Sequence, residues 1–162
     1  MAPVRTAHVQ LRGPDVDNAK YTFAITSEDR VVSRYVHAPL DRAWQAIGQA
    51  YQTLGLPINE LDEQHHVIAS TPAPRAGRVA GEPLSAALDC GVNAARAPIV
   101  NAYAVAMTIS TRLTAAGDST LVETLVRARA QDSVHNNPSV SCGSLGRLEK
   151  RIADNVVGRT MP

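Results

Sequence analysis

Residues 102–130 read AYAVAMTISTRLTAAGDSTLVETLVRARA, and their period is two. Tyr103, Val105, Met107, Ile109 and Leu113 fall on one side of an extended chain; Ala102, Ala104, Ala106, Thr108, Ser110 and Arg112 fall on the other, because successive side chains of a strand point to opposite faces. Ala115-Ala116-Gly117-Asp118 then turns the chain, and beyond it Val122, Val126 and Ala128 alternate with Glu123, Arg127 and Arg129. Two alternating runs joined by a short Gly-containing turn predict a long antiparallel hairpin. A strand of this length crosses a whole domain, so the remaining elements must be arranged around it.

On its C-terminal side, past a loop rich in Asn, Pro and Ser, residues 144–157 place Leu145, Leu148, Ile152 and Val156 on one face of a helix. On its N-terminal side the alternation of Tyr21, Phe23 and Ile25 with polar residues, a Ser27-Glu28-Asp29-Arg30 turn and an extended Val31–His37 predict another hairpin. Pro39 suits a first helical turn, Leu40, Trp44, Ile47, Tyr51 and Leu54 make one stripe, and Gly55 is a C-terminal stop. Leu56–Leu61 and His66–Ala69 are short strands about Asp62-Glu63-Gln64. A Pro/Gly-rich loop spans Thr71–Gly81, and Leu84–Cys90 makes two helical turns closed by Gly91.

The order β-β-α-β-β-(short α)-β-β-α is that of an α+β fold: an antiparallel sheet of about six strands with two amphipathic helices and one short helix packed on one face. Residues 1–19, around Gly13-Pro14-Asp15, read as an irregular N-terminal arm, 20–158 as a single domain and 159–162 as a C-terminal tail. The expected core comprises Trp44, Ile47, Tyr51, Leu54, Tyr103, Val105, Met107, Ile109, Leu148 and Ile152.

A chain of 162 residues buries roughly 68–70% of its unfolded surface, enough for a core without metals. Aromatic residues are 4% of the total, so that core is aliphatic. Sixteen basic residues stand against fifteen acidic ones; no overall field draws nucleic acid or an anionic membrane. No run of about eighteen apolar residues spans a bilayer. Met1-Ala2-Pro3-Val4-Arg5 carries neither the apolar stretch of a secretory signal nor a cysteine for a lipid. That leaves a cytosolic protein or a mature region whose targeting segment has been removed.

The residues that carry chemistry do not converge. His65 and His66, near Asp62 and Glu63, are the best metal-binding material, yet neighbours in a strand point apart, and an exposed turn pair is the plainer reading. Cys142 with His135 and a carboxylate permits a nucleophilic triad on paper, but Ser141-Cys142-Gly143-Ser144 matches no nucleophile signature, and Gly143-Ser144-Leu145-Gly146 lacks both the hydrolase elbow spacing and a phosphate-loop lysine. We therefore expect no catalytic residue, no metal and no cofactor.

Cys90 and Cys142 are the two cysteines, each at an element end beside a glycine. In an oxidising compartment a bridge between them closes a loop of about fifty residues, worth up to about 4 kcal/mol; two buried free thiols are the other reading. The Ala102-Ala104-Ala106 face is too small-chained to build a core and too apolar to be plainly solvated. Either the short helix or the arm packs on it, or a partner protein does, with Val4 and Arg5 of the arm contributing.

At His37-Ala38-Pro39-Leu40-Asp41-Arg42-Ala43-Trp44, followed by Leu54-Gly55-Leu56-Pro57-Ile58 and the Asp62 turn, the chain resembles the repeated domain of BamC-like envelope lipoproteins over about Val31–Ser70. Leu88-Asp89-Cys90-Gly91, Asn101-Ala102-Tyr103 and Cys142-Gly143-Ser144-Leu145-Gly146-Arg147-Leu148-Glu149 also look like uncharacterised exported proteins of gemmatimonad-type bacteria, over most of the chain. The Ala-Pro-x-x-x-x-Trp opening is similar to helix-grip lipid-binding domains too. The lipoprotein likeness implies a peripheral place in the periplasm or cell envelope, with the cytoplasm still open, and accessory binding within a membrane complex. The expected function is a non-catalytic accessory or scaffolding subunit on the water-exposed side of a larger membrane assembly, an assembly machine or an electron-transfer complex. A carrier of a small apolar ligand is the alternative and an enzyme the third. The partner is a protein, not nucleic acid, and the chain does not itself span the membrane.

Overall fold

The hairpin expected from residues 102–130 is the largest unit of the fold. In the computed structural model, which describes residues 4–6, 30–75, 77–135 and 137–161, Ala104–Ala116 and Ser119–Gln131 pair through thirteen successive positions, from Ala104 opposite Gln131 to Ala116 opposite Ser119. The strands are β1 Val4–Thr6, β2 Arg30–Val36, β3 Glu60–Asp62, β4 Val67–Ser70, β5 Arg78–Val79, β6 Glu82–Pro83, β7 Leu88–Asp89, β8 Ala104–Ala116, β9 Ser119–Gln131 and β10 Val140–Ser144. The helices are α1 Leu40–Thr53, α2 Leu84–Ala87, α3 Ile99–Ala102 and α4 Arg147–Thr160.

The main sheet runs β1-β2-β9-β8-β4-β3, all antiparallel, and β10 extends it by pairing with both β9 and β7. This is the α+β architecture expected, with six strands on the main path. The expected Tyr21–Ile25 strand lies outside the described residues.

Both long helices lie on one face of the sheet. α1 buries Ala43, Ala46, Ile47, Ala50 and Tyr51, and α4 buries Leu148, Ile152, Ala153 and Val156. Ile47, Tyr51, Leu148, Ile152 and Val156 share one apolar core with Ile68, Met107, Ile109, Leu113, Val122 and Val126 of the sheet. The two short helices extend this core toward β10, through Leu84, Ala87, Ile99 and Val100. A polar chain crosses it: the Tyr51 hydroxyl is hydrogen-bonded to Thr111 Oγ1 at 2.8 Å, and Thr111 Oγ1 to Thr124 Oγ1 at 3.0 Å. Burial pushes the Tyr51 pKa up, so the phenol stays neutral and the chain stays satisfied.

The opposite face is split. Its middle carries Val31, Leu125, Val67 and Ala69, all buried and all outside the main core, around a cross-strand Arg112–Glu123 ion pair at 3.0 Å. At one end of that face Ala104 and Ala106 are exposed.

Several expected boundaries move. Within the arm, Val4–Thr6 is not irregular but forms β1 on the edge of β2. Leu145 is 52% exposed and lies outside the last helix, because Gly146 at φ 86 breaks the chain and α4 begins at Arg147. That helix continues to a buried Thr160, well into the expected tail. The two helical turns expected over Leu84–Cys90 are one turn followed by β7, since pairing with β10 captures Leu88 and Asp89. Ala102 closes α3 instead of opening the long strand. Among the expected core residues Ile47, Tyr51, Leu54, Met107, Ile109, Leu148 and Ile152 are buried, whereas Trp44, Tyr103 and Val105 are half-buried and pack against the core from its rim. Trp44 stands edge-on to His66 with ring centroids 5.3 Å apart.

The packing predicts a graded series. Ile152→Ala should cost about 2–5 kcal/mol. Tyr51→Phe should cost about 1 kcal/mol for the lost hydrogen bond, and Trp44→Ala about 2 kcal/mol, because part of the ring is already in water. Urea unfolding of the three variants gives the order directly, and a Trp44 variant costing more than Ile152→Ala would show the rim assignment to be wrong.

Candidate functional site

Of the residues the sequence singles out, Cys90 and Cys142 meet at the end of the hairpin away from its turn. The registers Gly143 opposite Asp89 and Ser144 opposite Leu88 continue by one position to Cys142 opposite Cys90. The two are joined in a disulfide, with Cα atoms 4.1 Å apart. The bridge ties the chain just past β7 to β10 and closes a loop that contains the whole hairpin, at the end where β9 also pairs with β10.

Beside this clasp the sheet carries two open grooves. One, of about 620 Å³, lies between the Thr71–Pro74 segment and the first half of β8, with Leu84, Val100 and Tyr103 closing its end. The second, of about 1060 Å³, shares Thr71, Ala106 and Met107 with the first and runs past Cys142 and Ser144 to Arg30 and Arg129. Arg129 is held in place by Ser139 Oγ at 2.8 Å and Ser141 Oγ at 3.3 Å, both accepting from its guanidinium. No residue of α1 or α4 lines either groove. The space between those helices and the sheet is filled by Ile47, Tyr51, Ile109 and Ile152, all at or below 2% exposure.

Of the residues expected to bind a partner, Ala102, Ala104 and Ala106 are all exposed at this end. Val4 and Arg5 are not beside them: β1 lies three strands away across β2 and β9, and its register places Arg5 in line with Val31 and Leu125, not with Arg129. The arm and the alanine face are therefore separate features.

The polar residues weighed for chemistry diverge. His65 Nδ1 sits 2.8 Å from Asp62 Oδ2, while His66, at φ 55, turns to Trp44. His135 contacts Asp132, and Cys142 is committed to the disulfide. Among the described residues no three His, Cys, Asp or Glu side chains converge on one point. The most deeply buried carboxyl among the described residues escaped the sequence reading. Glu149, in the first turn of α4, is 1% exposed; the Ser144 hydroxyl donates to its Oε1 and accepts the Gly146 N–H at 3.1 Å. Its Oε2 has no hydrogen-bond partner among the described residues, and burial pushes its pKa up from the ordinary value despite the serine. A Ser at 144 five residues before a Glu at 149 in a helical first turn was the available signal; burial was not.

No family model, no curated protein and no solved structure matches this chain.

Two outcomes follow from the clasp and its neighbour. Replacing both Cys90 and Cys142 by serine should lower stability by about 4 kcal/mol, the entropy of closing a loop of this length, and thiol titration of the unfolded, unreduced protein should find no free thiol. For Glu149 the folded pKa lies above the unfolded one. Its contribution is then fully present below the unfolded pKa and is lost as pH rises through the folded pKa. Glu149→Gln should flatten that stability loss, read as the melting temperature while pH rises from the ordinary carboxylate range; an unchanged profile would rule out a buried, titrating Glu149.

Proposed function

We propose that this chain is a non-catalytic accessory subunit that docks, through the open end of its sheet, on the water-exposed side of a membrane protein complex such as an assembly machine or an electron-transfer complex. The observation that carries this reading is the exposed Ala104–Ala106 end of β8, set in an open groove on a frame that the disulfide and the hairpin hold fixed. A small-residue, concave surface next to Arg129, which two serines hold in place, suits recognition of another protein. The polar groups at the same end are occupied in holding that frame. The disulfide supports an oxidising compartment, the periplasm or cell envelope, in keeping with the likeness of Val31–Ser70 to BamC-like lipoprotein domains. Among the described residues no helix is long and apolar enough to cross a membrane, which supports a peripheral attachment. The carrier reading would need space between helices and sheet, where side chains already pack.

The test is retention in native membranes. Tagged full-length protein should co-fractionate with a larger complex, and Ala104→Arg should reduce that fraction at least about tenfold, since an unpaired charge buried at an interface costs several kcal/mol. Its melting temperature should move by less than about 2 °C, because Ala104 is exposed within the domain. Wild-type protein found only as a free monomer in cell extracts would overturn the reading.

A further inference from the structure

The register of β4 on β8 shows where the sheet has been left open. Leu113 N–H donates to His66 O at 2.9 Å, and pairing proceeds from Val67 opposite Arg112 to Ser70 opposite Ile109. Because backbone groups of a strand alternate sides, the odd-numbered residues of β8 aim their N–H and C=O toward β4. Carried two and four positions further, the same register sets Pro72 opposite Met107 and Pro74 opposite Val105. Proline has no N–H to give to a ladder. Pairing stops at Ser70, and no backbone hydrogen bond from Thr71–Pro74 reaches Val105 or Met107 among the described residues. On its other side β8 stays paired with β9 from Ala104 onward.

The first half of β8 is thus an unpaired edge inside a sheet, not at its border, and the groove of about 620 Å³ is the gap where β4 would have continued. Its open length, Ala104 to Thr108, is about 17 Å at the usual rise of a strand. Next to it, Ala106 pairs with Arg129 of β9, and the adjoining groove is lined by Arg30, Arg127 and Arg129, with Asp89 as its acidic residue. The basic side chains outweigh the acidic one.

We propose that this edge receives an extended, acidic peptide segment of a partner protein as an added strand. The backbone of the segment pairs with Val105 and Met107, one set of its side chains faces Leu84, Val100 and Tyr103, and the alternate, acidic set lies over Ala104 and Ala106 toward Arg129. Main-chain pairing supplies affinity in such strand addition, and the side-chain surroundings supply selectivity. The methyl side chains of the alanines give the added side chains room to reach the arginine. The two prolines serve the same end: they keep the chain's own next segment from closing the site.

The inference rests on the accessory-subunit reading and can fail separately from it. The probe is an acetylated, amidated hexapeptide of alternating glutamate and valine, added to isotope-labelled full-length protein at low salt. Binding with a dissociation constant below about 1 mM, shifted Val105 and Met107 amides and at least about tenfold slower exchange of those protons support the proposal. N-methylation of alternate peptide amides, which removes the donors along one edge, should weaken binding at least about tenfold. Lysine in place of glutamate in the peptide, or Arg129→Ala in the protein, should weaken it about fivefold. Equal binding by the N-methylated or the lysine peptide, or unmoved Val105 and Met107 amides at about 2 mM peptide, would overturn it. So would a concentration-dependent dimer in which those amides are already protected, since a second copy would then occupy the edge. If the peptide fails while the protein remains complex-bound in cells, the edge assignment alone is wrong; if the protein is free of partners in cells, the accessory-subunit reading itself is wrong.

Discussion

Thirteen consecutive pairs between β8 and β9 set the coordinates of everything else in this molecule. Once that ladder forms, each neighbour has little freedom of register, because a slip of one residue would turn every side chain to the wrong face. β2 on β9 and β4 on β8 place Val36 and Ile68 on the side where α1 and α4 lie, and Val31, Val67 and Ala69 on the other face. The polar chain Tyr51–Thr111–Thr124 ties α1 to both strands of the hairpin at the centre of that face. The helix stripe and the sheet face thus specify one another.

The two ends of the hairpin are treated differently. At the turn end the sheet is covered on its helical side and paired on both flanks. At the open end the chain departs from sheet pairing at Pro72 and Pro74 and returns through α2, β7 and α3, a stretch with few long-range ladder bonds of its own. The disulfide compensates: a covalent clasp between Cys90, one residue past β7, and Cys142 of β10 holds an excursion that hydrogen bonding alone holds weakly. Rigidity and openness coexist at this end because the first comes from the clasp and the second from the prolines.

That combination links structure to function. A surface that must recognise an extended segment gains from being fixed before its partner arrives, since less conformational entropy is then lost on binding. Glu149 and Ser144, beside the clasp, belong to the same frame: their buried contact positions the Gly146 turn from which α4 departs.

Period-two alternation over residues 102–130 determined the hairpin, the 3.6-residue stripe from Leu40 to Leu54 determined α1, and two cysteines beside glycines pointed to the bridge. These features rest on neighbours in the chain, so composition and spacing carry them. What the tertiary structure alone decided depends on residues far apart in sequence. Leu84–Cys90 has helical spacing throughout, but β10 competes for Leu88 and Asp89 and wins them as a strand. Trp44, Tyr103 and Val105 have core-like positions in their own elements, yet sit at the rim because the neighbouring layer ends beside them. Val4 and Arg5 read as an arm until β2 offers an edge to pair with. The open edge of β8 is the extreme case: nothing near Val105 or Met107 in the sequence marks it, and only the register of β4 brings Pro72 and Pro74 opposite them, because a missing donor matters only where a partner strand would have needed it.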